Sequence, residues 1–296
     1  KCIGTMFCYQ TCKHKLVANT YINGMVNYLK RLKKYRFILL LILSLTLLGA
    51  RINNVFPQSI KSRISRGETV NILLMGVDAR PGEEQNTRSD TMVVASINYK
   101  LDKIVLLSIP RDTRIEGRDR TGKINMIKQV KGPEESCKEV SRLLEKDVEY
   151  YVITNFEGFE KMIDTLGGVD MNVDINLRSY TNGVFLEKGY RHLNGKEALT
   201  YARFRETQQG DIGRTARQQN LLKALAQQLG RKENVARLPR LLAQNVQSNI
   251  SLSDTVYLAN LIPGLKEDDI INQTLPGYHY VDPYSGASYW EVDREI

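Results

Sequence analysis

No aspartate or glutamate occurs in residues 1–36, although the whole chain of 296 residues carries 33 acids. The same stretch holds eight of the 42 lysines and arginines, and setting those eight aside leaves 34 bases against 33 acids in the remainder. The formal charge of +9 therefore belongs to the tail, and bulk charge gives the body no affinity for nucleic acid. Cysteine is scarce as well: Cys2, Cys8 and Cys12 crowd the first dozen residues and Cys137 stands alone after them. An internal disulfide in the body is thereby excluded, and the N-terminal trio has no second ligand pair to complete a metal site. Repeats and low-complexity segments are absent. With apolar and charged fractions of 42% and 25%, the composition is that of an ordinary globular protein, which excludes global disorder.

Long apolar runs are missing too, with one exception. Residues 37–50, FILLLILSLTLLGA, hold no charge and are bounded by Arg36 and Arg51. A membrane span takes about 17–25 residues, so this run is short, but Asn53 to Phe56 extend it at the interface while Arg51 snorkels. A cleaved signal peptide and a buried core helix are the competing readings. Leu48-Gly49-Ala50 is a weak cleavage site, and the run is apolar on every side and comes after a purely basic flank. A retained signal anchor over 37–56 is the preferred reading, a transmembrane helix of a single-pass protein in the cell membrane. The positive-inside rule then puts the basic tail 1–36 in the cytoplasm and the residues beyond the anchor outside. Met25 opens MVNYLKRLKKYRF, a natural start for such an anchor, so residues 1–24 are expected to stand outside the mature protein. Residues 57–69 are polar and read as a juxtamembrane linker. That leaves 70–296 as one extracellular domain of roughly 230 residues, enough for a sizeable core.

Within it, residues 70–77, 91–98 and 103–109 are short runs rich in apolar and β-branched residues, expected as buried strands, the last two joined by a turn at 99–102. Helices are expected at 133–148, 155–166, 194–203, 211–229, 235–248 and 253–261, and further strands at 150–154 and 169–175. Strands interleaved with helices predict an α/β fold, an αβα sandwich with a central mixed sheet.

The chemistry gathers at strand ends, where α/β sheets hold ligands. The first strand runs into Asp78 and Arg80, and the second is preceded by Arg88 and opens at Asp90. Two carboxylates suit a hard cation such as Mg²⁺, which takes one or two of them plus phosphate oxygens, while arginines grip the same phosphates bidentately. A pair of surface salt bridges explains the segment equally well. The third strand repeats the pattern at Arg111-Asp112, with Lys123 and Asn125 in the loop beyond. Arg203 and Arg205 close one helix, and Arg214, Arg217 and Gln218 stand at i, i+3 and i+4 of the next, before Gln219. Arginines converging in this way point to a polyphosphate, against the alternative of a solvated basic face. The stripe Leu221, Leu222, Ala224, Leu225 and Leu229 reads as core, and beside an arginine cluster also as a groove for a polyprenyl tail.

In order, VDAR, RSDT, SIPRDT, KIN, LGGVDMNV, LNGKEALTYARFR and GDIGRTARQQ, between about residues 70 and 230 and with the anchor before them, closely resemble the LytR–CpsA–Psr family of cell-wall glycopolymer transferases. The resemblance implies a Mg²⁺-dependent phosphotransferase that moves a phospho-glycopolymer, such as wall teichoic acid or capsule, from a polyprenyl-pyrophosphate carrier to peptidoglycan. It matches Asp78 and Asp90 to the metal site and Arg80, Arg88, Arg111, Arg203 and Arg205 to pyrophosphate-binding arginines. It matches Arg214, Arg217, Gln218 and Gln219 to the last motif, with the inward-facing glutamine left open. Lys123-Ile124-Asn125-Met126-Ile127 departs from relatives that carry small residues after the Asn, which reshapes a pocket wall. Three rivals stand beside this reading: a pyrophosphatase using water as acceptor, a membrane-bound regulator, and a wall-binding module without catalysis.

Overall fold

The computed structural model describes residues 58–79, 83, 86–115, 122–205, 210–229, 231, 234, 238–261 and 266–294. In chain order its elements begin with helix α1 (Ile60–Ser65), strands β1 (Val70–Val77), β2 (Ser89–Asn98) and β3 (Lys103–Ser108), and helices α2 (Asn125–Lys131) and α3 (Pro133–Leu144). Next come β4 (Tyr150–Asn155), α4 (Phe156–Thr165), the short strands β5 (Val169–Val173), β6 (Leu177–Ser179), β7 (Val184–Leu186) and β8 (Gly189–Leu193), and helices α5 (Gly195–Arg203) and α6 (Gly210–Leu229). The last part comprises α7 (Leu238–Asn245), β9 (Gln247–Ser248), α8 (Leu252–Leu261), β10 (Ile270–Thr274), β11 (Gly277–Val281) and β12 (Ser288–Val292).

Six strands form one mixed sheet in the order β10-β3-β2-β1-β4-β9. β1, β2 and β3 make an antiparallel meander, while β4 lies parallel to β1 and β10 parallel to β3. Side chains alternate across the pleat, so each strand serves both layers. Leu73, Met75 and Val77 pack with Met92, Ile153, Ile124, Ile127 and Val140, which puts α2 and α3 on one face. Ile72, Leu74, Val93 and Leu106 face the other way, toward α1, α6 and α8. A further cluster joins α4, α5 and α6 to β5 through β8 around Tyr201, whose hydroxyl donates to Asp174 at 2.8 Å. Burial and that carboxylate push the Tyr201 phenol above its ordinary value. The fold is α/β with a central mixed sheet and helices on both faces.

The structure departs from the sequence expectations at several places along the chain. The expected linker 57–69 contains α1, because Ile60 and Ile64, four apart, bury one helical face against Val70, Ile72 and Tyr150. Within the helix expected at 235–248, the described residues are helical from Leu238 to Asn245 and then yield to β9 on the sheet edge. Strands β6, β7, β8 and β10 to β12 are additional to the expected elements, and so is α2, which opens at Asn125 where a loop is expected. Among the described residues no helix is long and apolar enough to cross a membrane, and the expected anchor at 37–56 lies outside them.

Candidate functional site

β1, β3 and β4 run in one direction, so their carboxyl ends share a sheet edge with the amino end of β2. That edge carries Asp78, Arg111 and Asn155 just at or past strand termini, and Asp90 at a strand start. Gly76 pairs with Thr91 but Val77 pairs with Ser89, so Asp90 is an extra residue on β2. Such a bulge bends the strand and re-aims the side chain it carries.

Asp90 Oδ1 accepts a 3.0 Å hydrogen bond from Arg111 Nη1. Arg111 Nε also lies 3.6 Å from Asp112 Oδ2, an ion-pair contact too long for a hydrogen bond. Asp112 Oδ1 in turn accepts from Lys123 Nζ at 2.7 Å. Asp90, Arg111, Asp112 and Lys123 thus alternate in charge along a partly exposed surface. The loop beneath is fixed by main-chain bonds, Thr113 to Pro110 at 2.9 Å, Ile124 to Thr113 at 2.9 Å and Asn125 to Arg111 at 3.3 Å. The Asn125 side chain is buried, and its Oδ1 takes no hydrogen bond from the described residues. Asp78 and Arg88 are exposed at the same edge, and Arg80 lies outside the described residues.

The second group sits where α5 ends and α6 passes. Arg203 is exposed and lays its guanidinium 4.0 Å from the centre of the Phe156 ring. Gln218 bonds the Ala202 carbonyl at 3.3 Å. Arg217 is only 1% exposed and donates from Nη2 to the Phe204 carbonyl at 2.6 Å, tying α6 to the end of α5. Arg214 is buried one turn earlier and Arg205 is exposed. Gln219 turns the opposite way, its amide donating to Ser108 Oγ at 2.9 Å and to Gln273 and Thr274 of β10. Of the two glutamines, Gln218 faces the interior groove and Gln219 clips α6 to the sheet.

That groove is an apolar cavity of about 420 Å³ between the sheet and helices α4, α6, α7 and α8. Gly76, Thr91, Asn155, Arg203 and Gln218 line one end, beside Asp78 and Asp90 in the chain. Tyr99, Asp102 and Leu261 line the other, and between them the wall is almost wholly aliphatic. β2 spans the distance from Thr91 to Asn98, about 24 Å at the usual rise per strand residue.

Asp78 and Asp90 are hard oxygen donors suited to Mg²⁺, and no group of three or more His, Cys, Asp or Glu side chains fit to hold a metal occurs among the described residues. Three contributors had no role in the sequence reading. Asp112 stood in the RDT motif without one. Lys128 is 1% exposed and pins the Thr87 carbonyl at 3.2 Å, fixing the approach to β2. Phe156 supports Arg203, and nothing in its sequence neighbourhood marks it.

A family model for LytR_cpsA_psr matches residues 45–296. The chain belongs to the LytR_cpsA_psr family. It is 32% identical over 236 residues to polyisoprenyl-teichoic acid--peptidoglycan teichoic acid transferase TagV of Bacillus subtilis (strain 168), covering 75% of this chain and 60% of TagV. The chain therefore spans about three-fifths of that relative. The crystal structure of B. subtilis TagV superposes with a TM-score of 0.67 over 77% of this chain and 92% of that one, at 30% identity. Regulatory protein MsrR of Staphylococcus aureus (strain COL) is 34% identical over 76% of this chain and 71% of its own length. A structure of TagT bound to LI-WTA superposes with a TM-score of 0.63 at 29% identity, over 80% of this chain and 91% of that one.

Proposed function

We propose that the chain transfers a phosphate-linked glycopolymer, such as wall teichoic acid or capsule, from a polyprenyl-pyrophosphate carrier to peptidoglycan at the outer face of the cell membrane. The observation that carries this reading is the apolar cavity across the sheet, ending beside the Asp78, Asp90 and Arg111 cluster and Arg203. A polyprenyl diphosphate has the same division, one long apolar chain ending in concentrated negative charge. The names of TagV and of TagT bound to LI-WTA support the same substrate class.

In the proposed reaction an acceptor hydroxyl attacks the phosphorus that bears the glycopolymer. The bond from that phosphorus to the bridging oxygen breaks, and polyprenyl phosphate leaves with the electron pair. Arg111, held by Asp90, and Arg203, held on Phe156, meet negative charge without having to be reoriented, which lowers the barrier to its transfer. Asp78 and Asp90 would hold Mg²⁺, which when bound supplies further neutralisation of the diphosphate. The hydroxyl proton passes to a carboxylate, with Asp78 and Asp90 the candidates at this edge. The aliphatic wall holds the lipid and keeps bulk water from the leaving group.

The membrane anchor at 37–56 belongs to the same proposal, because a lipid-linked donor is presented at the bilayer. The test incubates the full-length protein with lipid-linked donor and Mg²⁺, with and without peptidoglycan. Polymer linked to the wall supports transfer. Release of free polymer phosphate at the same rate in both arms replaces it by hydrolysis.

A further inference from the structure

The last two strands stand apart from the main sheet yet reach the phosphate site. Trp290 of β12 donates its N–H to the Asp112 carbonyl at 3.0 Å and accepts from the Arg114 N–H at 3.0 Å. The β11–β12 ribbon is thus hydrogen-bonded to the segment just after Arg111. Val292 on one face of the ribbon packs against the core.

The other face has a different composition. Tyr278 pairs with Glu291 and Tyr280 with Tyr289, so three tyrosines and a carboxylate share it. Arg114 fills the space between Tyr280 and Tyr289, at 5.6 and 5.1 Å from the ring centres, and pairs with Glu291 at 2.8 Å. The outer rings remain open: Tyr278 is 59% exposed and Tyr284, in the turn, 99%. That turn is held by Asp282, whose Oδ1 accepts from the Tyr284 and Ser285 N–H groups at 2.9 and 2.8 Å. Those bonds keep the Asp282 carboxyl below its ordinary range.

We infer that this ribbon is a docking surface for the acceptor, a neutral to weakly charged polysaccharide strand. Sugar rings present C–H faces that stack on tyrosine, while their hydroxyls bond to a carboxylate and a guanidinium held alongside. The charge of the ribbon selects against the main alternative. Asp282, Glu291 and Asp293 of the ribbon, with Asp112 beside it, stand against Arg294, Arg114 and Lys123, so the face has no excess of positive charge to hold an anionic lipid surface. Position selects for the acceptor, because a strand lying on the ribbon passes the Asp112–Arg114 segment and can bring a hydroxyl to the site at Arg111. The inference rests on the transferase reading for its choice of ligand, but its test does not need turnover.

The test compares the full-length protein with a Tyr278→Ser/Tyr284→Ser variant and with Tyr278→Phe/Tyr284→Phe. Sedimentation with purified peptidoglycan sacculi stripped of teichoic acid reads binding directly. The serine variant is expected to bind about tenfold more weakly, the phenylalanine variant close to wild type, since the ring faces carry the contact. In the transfer assay the KM for sacculi rises by a similar factor, while the KM for donor stays unchanged. Equal sacculus binding by wild type and serine variant overturns the inference whatever the transfer assay gives. Loss of binding to phosphatidylglycerol vesicles with sacculus binding intact also overturns it and makes the ribbon a membrane contact. If wild type links no polymer to the wall, the transferase reading fails, and sedimentation still decides the ribbon.

Discussion

Arg111 Nη1 lies 3.0 Å from Asp90 Oδ1, joining a residue just past β3 to the bulged residue at the start of β2. The contact is partly exposed, with side-chain exposures of 27% and 40%, so it adds little to stability. In the proposed reaction its value lies in fixing a cation where charge on a diphosphate would accumulate. Arg111→Ala should therefore lower kcat about 100- to 1,000-fold, the usual cost of removing one preorganised donor. The melting temperature should move by only a few degrees. Near-normal turnover by the folded variant would rule out the clamp.

The carboxylates predict a metal response. Asp78→Asn and Asp90→Asn should each raise the Mg²⁺ concentration needed for half-maximal transfer, because in the proposed site the two carboxylates would supply part of the shell and phosphate oxygens the rest. Asp90→Asn should also weaken the hold on Arg111. Titrating Mg²⁺ against transfer rate, after chelation by EDTA, checks both. An unchanged Mg²⁺ dependence in both variants would remove these residues from a metal site.

The cavity can be tested by filling it. Ala226 on α6 lies on the cavity wall facing the sheet, next to Leu222. Ala226→Trp should displace part of a bound polyprenyl chain. Losing burial of two methylenes costs about 1.6 kcal/mol, or somewhat more than tenfold in donor affinity. A donor with a truncated lipid should lose less, so the ratio of KM values for long and short donors is the measurement. An equal loss for both would place the lipid elsewhere.

The sequence exposed the strands and helices whose burial is continuous. β1 to β4 read as apolar runs, and α4, α5 and α6 as spaced apolar faces, because each buries a regular side. The later strands were hidden for particular reasons. β10 reads Ile-Ile-Asn-Gln-Thr and buries only Ile270 fully, so an edge strand looked like a loop. The β6–β7 hairpin has three-residue strands around Asn182-Gly183; that pair is a turn signal in the sequence, and Gly183 takes a positive φ of 64° in the structure. β11 and β12 alternate around Asp282 to Ala287 and were legible by the same rule. At the site, motif order brought Asp90 and Arg111 into one group. Burial separated Gln218 from Gln219 and showed Arg217 bonded to a main-chain carbonyl, which adjacent positions on a helix do not reveal.

Gln219 and its neighbour should accordingly behave differently. Gln219→Leu removes bonds to Ser108, Gln273 and Thr274 at a site that is 7% exposed. The loss should cost about 1–3 kcal/mol of stability, or several degrees in melting temperature for a domain of this size. Its donor KM should stay near wild type. Gln218→Ala, at the cavity wall, should shift donor KM with little thermal effect. Denaturation and steady-state kinetics on both variants make the comparison, and a reversed pattern would exchange their roles.

Asp254 ties α8 to α1 and supplies a pH-dependent prediction. It is 5% exposed, and its carboxylate accepts from Ser59 Oγ at 2.7 Å, the Lys61 N–H at 3.2 Å and Ser251 Oγ at 2.8 Å. Burial alone would raise its pKa, but these donors together outweigh it and leave the pKa below the ordinary 3.8. A carboxyl with a depressed folded pKa contributes stability that is fully present above the unfolded value. That contribution is lost as pH falls through the folded value. Asp254→Asn should therefore melt below wild type at pH 7, by an amount reflecting about 1.5–3 kcal/mol for bonds to a charged group. The gap should persist down to about pH 4 and close below it, where wild type becomes neutral at this position too. Melting curves of both proteins from pH 7 to pH 3 give the result, and a gap that widened toward low pH would show that the carboxylate does not stabilise the joint between α1 and α8.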